Sequence, residues 1–146
     1  IKEDGEITAG LSVVPASLTI VAMPGLRGKI LMSLLPVTPG FKKIFRPEKL
    51  RFLVFEALYC KEGKEKSLEK LMESLCAIEG YKLGLTWIDT GSMLYEVMSE
   101  KLDMGFLSRM LDGSPGLVYA NFINFEEKEI EKYSESPAYI SGFDFT

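Results

Sequence analysis

"CKEGKEKSLEKLMESLCAIEGYKLGLTWID", residues 60–89, sets the fold of this chain. Leu68, Leu71, Met72, Leu75 and Cys76 recur at i, i+3, i+4, i+7 and i+8, which puts them on one face of a helix. The spacing predicts that helix over 66–79, with Ser67 near its start and Gly80 at the left-handed cap position. "LGLTWID", residues 83–89, predicts the strand that follows. Just upstream, "KLRFLVFEALY", residues 49–59, is apolar apart from its charged start and a single internal Glu, the pattern of a central strand covered on both faces. Downstream, residues 92–102 predict a second helix capped by Ser92. Strand, helix, strand, helix in that order implies a parallel crossover unit and an α/β fold.

Towards the N-terminus, residues 6–14 and 18–23 are β-branched runs separated by "PAS", and they predict two strands joined as an antiparallel hairpin. Residues 26–35 then predict a helix from Leu26, Ile30, Leu31, Leu34 and Leu35, stopped by Pro36, with a further helical turn around "GFKKIF" and a boundary at Pro47. Towards the C-terminus, "GLVYANFINF" (116–125) and "AYISGFDF" (138–145) predict two closing strands. They flank the polar excursion "EEKEIEKYSES", helical or loop, with a solvated face. A single domain over 1–146 is expected. The start at Ile1 in the turn-like stretch "KEDGE" suggests a piece of a longer protein.

At 146 residues, 47% hydrophobic and 11% aromatic, the chain can bury a sizeable core. Its formal charge of −4 argues against DNA or RNA as the main partner, because neutralising a phosphate backbone needs a basic surface. Histidine is absent, which removes the commonest metal ligand and every Ser/His or Cys/His nucleophile arrangement. No metal site is expected. Cys60 and Cys76 lack disulfide-framework spacing, so reduced thiols in a cytoplasmic protein are the expectation. No apolar run is long enough to span a bilayer, and a membrane is not expected as partner. The basic cluster Arg27, Lys29, Lys42, Lys43 and Arg46 stands out in an acidic chain. An amphipathic basic helix can lie on a membrane or cover an anionic ligand, and the simpler reading is a surface helix with a solvated polar face.

A buried strand delivering a glycine turn to a helix N-terminus is a general anion site, because unpaired N–H groups and the helix dipole face the turn. "CKEGKEKS", residues 60–67, has that placement. Lys61, Lys64 and Lys66 attract a phosphate there, whereas Glu62 and Glu65 repel it; the alternative is a charged corner with no ligand. Cys60 beside a helix N-terminus should have a lowered pKa, but with no histidine to assist it a buried, inert thiol is the stronger reading.

The order of elements, with "MLYEVM" on the second helix, resembles the GNAT N-acyltransferase family. That family has a coenzyme A pyrophosphate loop of the form Gln/Arg-x-x-Gly-x-Gly/Ala between its fourth strand and third helix. Cys60 stands at the Gln/Arg position, Gly63 matches the first glycine and Glu65 occupies the second small position. "LYEVMSEKLDMGF" resembles the family's Leu-Tyr-Glu followed by Gly-Phe, with extra residues before Gly105 and Phe106. The likeness covers residues 50–145, while the family's first strand and first two helices have no counterpart. It implies a GNAT-like fold, a mixed central sheet flanked by helices with the front elements missing, as in the second domain of a tandem protein.

The implied activity is transfer of an acyl group from acetyl-CoA or another acyl-CoA to a small amine or a protein amine. The resemblance implies that the backbone of Ala57, Leu58 and Tyr59 bonds the pantetheine arm and that Lys61, Gly63, Lys64, Lys66 and Ser67 form the coenzyme loop. Glu56 would act as general base, where apolar surroundings should raise its pKa; the alternative is a glutamate paired with Arg51. Tyr95 would protonate the leaving thiolate; the alternative is ordinary helix packing. Two further functions stay open. One is a catalytically silent GNAT-like domain packed against an active upstream domain, and the other is a peripheral membrane or lipid-substrate protein.

Overall fold

A computed structural model of the chain describes residues 1–22, 25–105, 108–109 and 122–137. The chain opens with a small antiparallel hairpin, β1 (Lys2–Glu3) and β2 (Glu6–Ile7). Asp4 and Gly5 make its turn with φ of 50° and 83°, the doubly left-handed geometry for which an Asp-Gly pair is suited. β3 (Ala9–Leu18) follows, then α1 (Gly25–Leu34), short 3-10 turns at Phe41–Lys43 and Pro47–Lys49, and β4 (Leu50–Cys60). The remaining elements are α2 (Glu65–Ile78), β5 (Gly84–Leu85), α3 (Met93–Glu100) and α4 (Glu127–Ser134). The fold is mixed α/β. Its main sheet has the order β3-β4-β5, antiparallel between β3 and β4 and parallel between β4 and β5.

β4 is the central strand, as its apolar run implies, and Phe52, Leu53, Val54 and Phe55 are all buried. α2 lays Leu68 and Met72 onto Leu53, Phe55 and Ala9, and Met98 and Leu102 complete this cluster. Each fully buried leucine here contributes roughly 1.5–3 kcal/mol. Among the described residues no helix is long and apolar enough to cross a membrane.

Three expectations need correction. The two predicted strands around "PAS" are one continuous strand, β3, with Pro15 opposite Leu53, and residues 19–22 are not strand. Leu53 donates its N–H to the Leu83 carbonyl on the β5 side, at 2.9 Å. Leu53 and Pro15 therefore form a non-hydrogen-bonded pair across β3 and β4, and Pro15 interrupts no bond of the β3–β4 ladder. The strand predicted over 83–89 is reduced to Gly84 and Leu85, after which the chain parts from β4. The closing strands lie outside the described residues, except that 122–125 are not strand. The charged excursion between them does form a helix, α4, whose Tyr133 ring packs on Phe125 at 5.5 Å.

Candidate functional site

The turn leaving β4 is held from both ends. Lys61 donates its N–H to the Thr8 carbonyl at 2.9 Å, and Lys64 donates to the Lys61 carbonyl at 3.0 Å. Gly63 supplies the φ of 74° that the reversal needs. The N-terminal hairpin then brings its acids to the turn. Glu3 and Glu6 face each other across β1 and β2, an arrangement of like charges that is unfavourable without cations between them. Lys61 pairs with Glu6, and Lys64 Nζ pairs with Glu3 Oε2 at 2.6 Å. Ser67 Oγ donates to Glu3 Oε1 at 2.8 Å, so a carboxylate of the chain itself occupies the start of α2. Lys66 pairs with Glu69, and Lys101 with Glu65, each at 2.8 Å; the Gly63 N–H donates to Glu65 Oε1 at 3.3 Å.

These bonds set the local titration. Hydrogen bonds from Lys64 and then Ser67 hold Glu3 below its ordinary pKa, and the Lys101 hydrogen bond does the same first for Glu65. Cys60 departs from the sequence expectation. Its thiol is pushed up, first by burial and then by the nearby Glu65 charge, rather than down by the helix N-terminus. Cys60 and Cys76 are both free thiols, and burial raises Cys76 as well.

A second feature lies beside the turn. Between the Gly10–Tyr59 and Ser12–Glu56 pairs, β4 carries one more residue than β3. Ala57, at this bulge, has a φ of 48°, a conformation uncommon outside glycine. The bulge occurs just after β5 leaves β4. The two walls then diverge around a cleft of about 230 Å³, lined by Phe55, Glu56, Ala57 and Leu58 on one side and Trp87, Ile88 and Asp89 on the other. Ser92 and Leu94 of the α3 region close it, together with Pro137. The Asp89 corner is well ordered by hydrogen bonds. Asp89 Oδ1 accepts from the Gly91 N–H at 2.7 Å, the Asp89 carbonyl accepts from Ser92 Oγ at 2.7 Å, and Ser92 Oγ caps α3 by accepting from the Tyr95 N–H at 3.2 Å.

The structure thus brings Glu56, Ala57 and Leu58 to one cleft, with Glu56 half-buried. Tyr59 is next in β4 and largely exposed. Tyr95 borders a different depression, an open groove of about 450 Å³ along α3, and Ser92 is common to both. Arg51 lies over the Tyr81 ring at 4.5 Å, five residues and roughly 16 Å along an extended strand from Glu56, too far for a direct pair. Sequence reasoning missed Asp89 as a second carboxylate on the cleft, and it missed Glu3 and Glu6 as partners of the turn. The Asp-Gly pair between those two glutamates was the available signal for a hairpin. Among the described residues no group of three or more Cys, Asp or Glu side chains is placed to hold a metal ion.

Fold and site together define a mixed α/β protein with a small cleft at the point where a bulged central strand and its parallel neighbour separate. No protein-family model, no curated protein and no solved structure matches this chain.

Proposed function

We propose that the chain is an N-acyltransferase-type domain that takes an acyl group from acyl-CoA and passes it to an amine. One observation carries this reading: the bulge at Ala57 and Leu58 stands on the wall of a cleft opened by the parting of β4 and β5. A bulge leaves an extra backbone unit outside the ladder, which suits hydrogen bonding to an extended, amide-containing arm such as pantetheine. At about 230 Å³ the cleft is small, which suits a thin chain rather than a whole nucleotide. In the reaction the amine nitrogen attacks the thioester carbonyl, the C–N bond forms and the C–S bond breaks. Glu56 on the cleft wall receives the amine proton, and Tyr95, on the neighbouring groove along α3, is the residue this reading assigns to protonate the leaving thiolate.

The second reading, a silent domain packed on an active one, is favoured by a different observation. Lys61, Lys64 and Lys66 already have carboxylate partners, and the Gly63 N–H is engaged by Glu65, so an incoming pyrophosphate meets a neutralised turn. Calorimetric titration with acetyl-CoA separates the two. Micromolar binding that is lost in Gly63→Val, together with a Glu56→Gln variant that still binds but turns over about 100-fold more slowly, is the expected result. A folded chain that binds no acetyl-CoA establishes the silent reading instead.

A further inference from the structure

We propose that α1 and the turn after it, residues 25–46, are a docking arm for an anionic lipid surface. The proposal is independent of acyl transfer. The arm leaves and returns at one point: Ile20 donates its N–H to the Pro47 carbonyl at 2.7 Å, and Thr19 Oγ1 donates to the Glu48 carbonyl at 3.1 Å. Within it, hydrogen bonds from Val37 and Thr38 to the Leu34 carbonyl, from Phe41 to Thr38 and from Phe45 to Phe41 continue α1 into the next turn as one unit. Among the described residues, α1 has no extensive packing against any other named element.

Two properties of this arm point to one partner. Leu26, Ile30 and Leu34 fall at i, i+4 and i+8, one face of α1, and Val37 follows in the turn just past its end, yet they are 76%, 46%, 55% and 70% exposed. Lys29, Lys42, Lys43 and Arg46 are exposed as well, and residues 25–46 contain five cations and no carboxylate in a chain of net charge −4. Around the turn after β4, by contrast, Lys61, Lys64, Lys66 and Lys101 have carboxylate partners. None of the arm's four exposed cations has a carboxylate partner among the described residues. A nucleic acid would use the cations but leave the leucine and isoleucine face in water, and another protein's apolar patch would use the face but leave the cations unmatched. An anionic bilayer engages both, with the stripe in the acyl boundary and the cations at the headgroups. This concerns the membrane surface and not a span. It revises the solvated helix that the sequence alone favours, because leucine and isoleucine side chains of α1 are exposed beside Lys29 and Ser33.

The test is co-sedimentation of the chain with phosphatidylcholine vesicles, with and without phosphatidylserine. Binding is expected to the anionic vesicles only, with a fraction persisting in high salt through the apolar stripe. The variant Lys42→Glu/Lys43→Glu should bind at least about tenfold more weakly, and Ile30→Ser/Leu34→Ser should lose the salt-resistant fraction. Both pairs are exposed or partly so, and circular dichroism checks that each variant stays folded. Absence of binding to anionic vesicles by the folded chain overturns the proposal. So does binding that neither variant weakens. Self-association in light scattering that Leu34→Ser abolishes, without vesicle binding, assigns the face to a second copy and also overturns it.

Discussion

Gly84 is a backbone position where one added methyl group would decide whether the sheet closes. A Cβ there would stand 2.3 Å from Phe55 Cε2, inside any permitted contact, and Phe55 is only 3% exposed and packed into the core cluster. Gly84→Ala is therefore expected to lower stability by about 1–3 kcal/mol, the usual cost of overpacking. The measurement is the urea midpoint at unchanged slope, and an unaltered midpoint would show that the ring moves freely. Because Phe55 also lines the cleft, displacement of its ring should alter any binding there. Nothing in "LGLTWID" marks this glycine, since a close approach depends on what packs opposite and not on local pattern. Glu56 was legible because a lone carboxylate in an apolar strand is conspicuous. Asp89 was not, because Asp-Thr-Gly-Ser reads as a turn wherever it occurs.

At the scale of elements, α2 and α3 were legible because apolar residues at helical spacing face one core, and both begin within a residue of the expected place. The strands were less so. Whether Pro15 breaks β3 depends on which side its missing N–H faces, and that is fixed by pairing with β4 rather than by β3 itself. The same non-local origin hides the role of the first hairpin. Only in three dimensions do Glu3 and Glu6 reach the lysines of the turn after β4. They neutralise these lysines, so removing their charge should free Lys61 and Lys64. In the acyltransferase reading, Glu3→Gln/Glu6→Gln is expected to tighten acetyl-CoA binding a few-fold, the scale of two partly exposed ion pairs. The binding should also become more salt-sensitive. Unchanged affinity, measured in the same calorimetric titration, would mean that these lysines do not reach the pyrophosphate.

For the whole molecule, net charge was legible in the sequence but the pairing of charges was not, and pairing governs the response to pH. Glu3, Glu65, Glu69 and Asp103 are all held below their ordinary values, the glutamates first by lysine hydrogen bonds and Asp103 first by the Gly105 N–H. The unfolded chain takes up protons near 4.5, while the folded carboxylates resist until lower pH. Their contribution is thus complete above that value and lost as pH falls through the depressed folded values. On the alkaline side the Cys60 and Cys76 thiols are raised from 9.0 by burial, so the unfolded chain ionises first and stability begins to fall as pH rises past that point. Lys64, Lys66 and Lys101, raised from 10.5 by their carboxylate partners, continue the decline as pH climbs through their folded values. Between these limits the chain has no histidine to titrate. Thermal melts at low salt should therefore trace a plateau from about pH 5 to about pH 8.5, with a fall on each side. Added salt should make the acid limb shallower, because those ion pairs lie at the surface, while the thiol part of the alkaline limb, which comes from burial, should persist. A step in melting temperature near neutrality would show that some group outside these clusters controls folding.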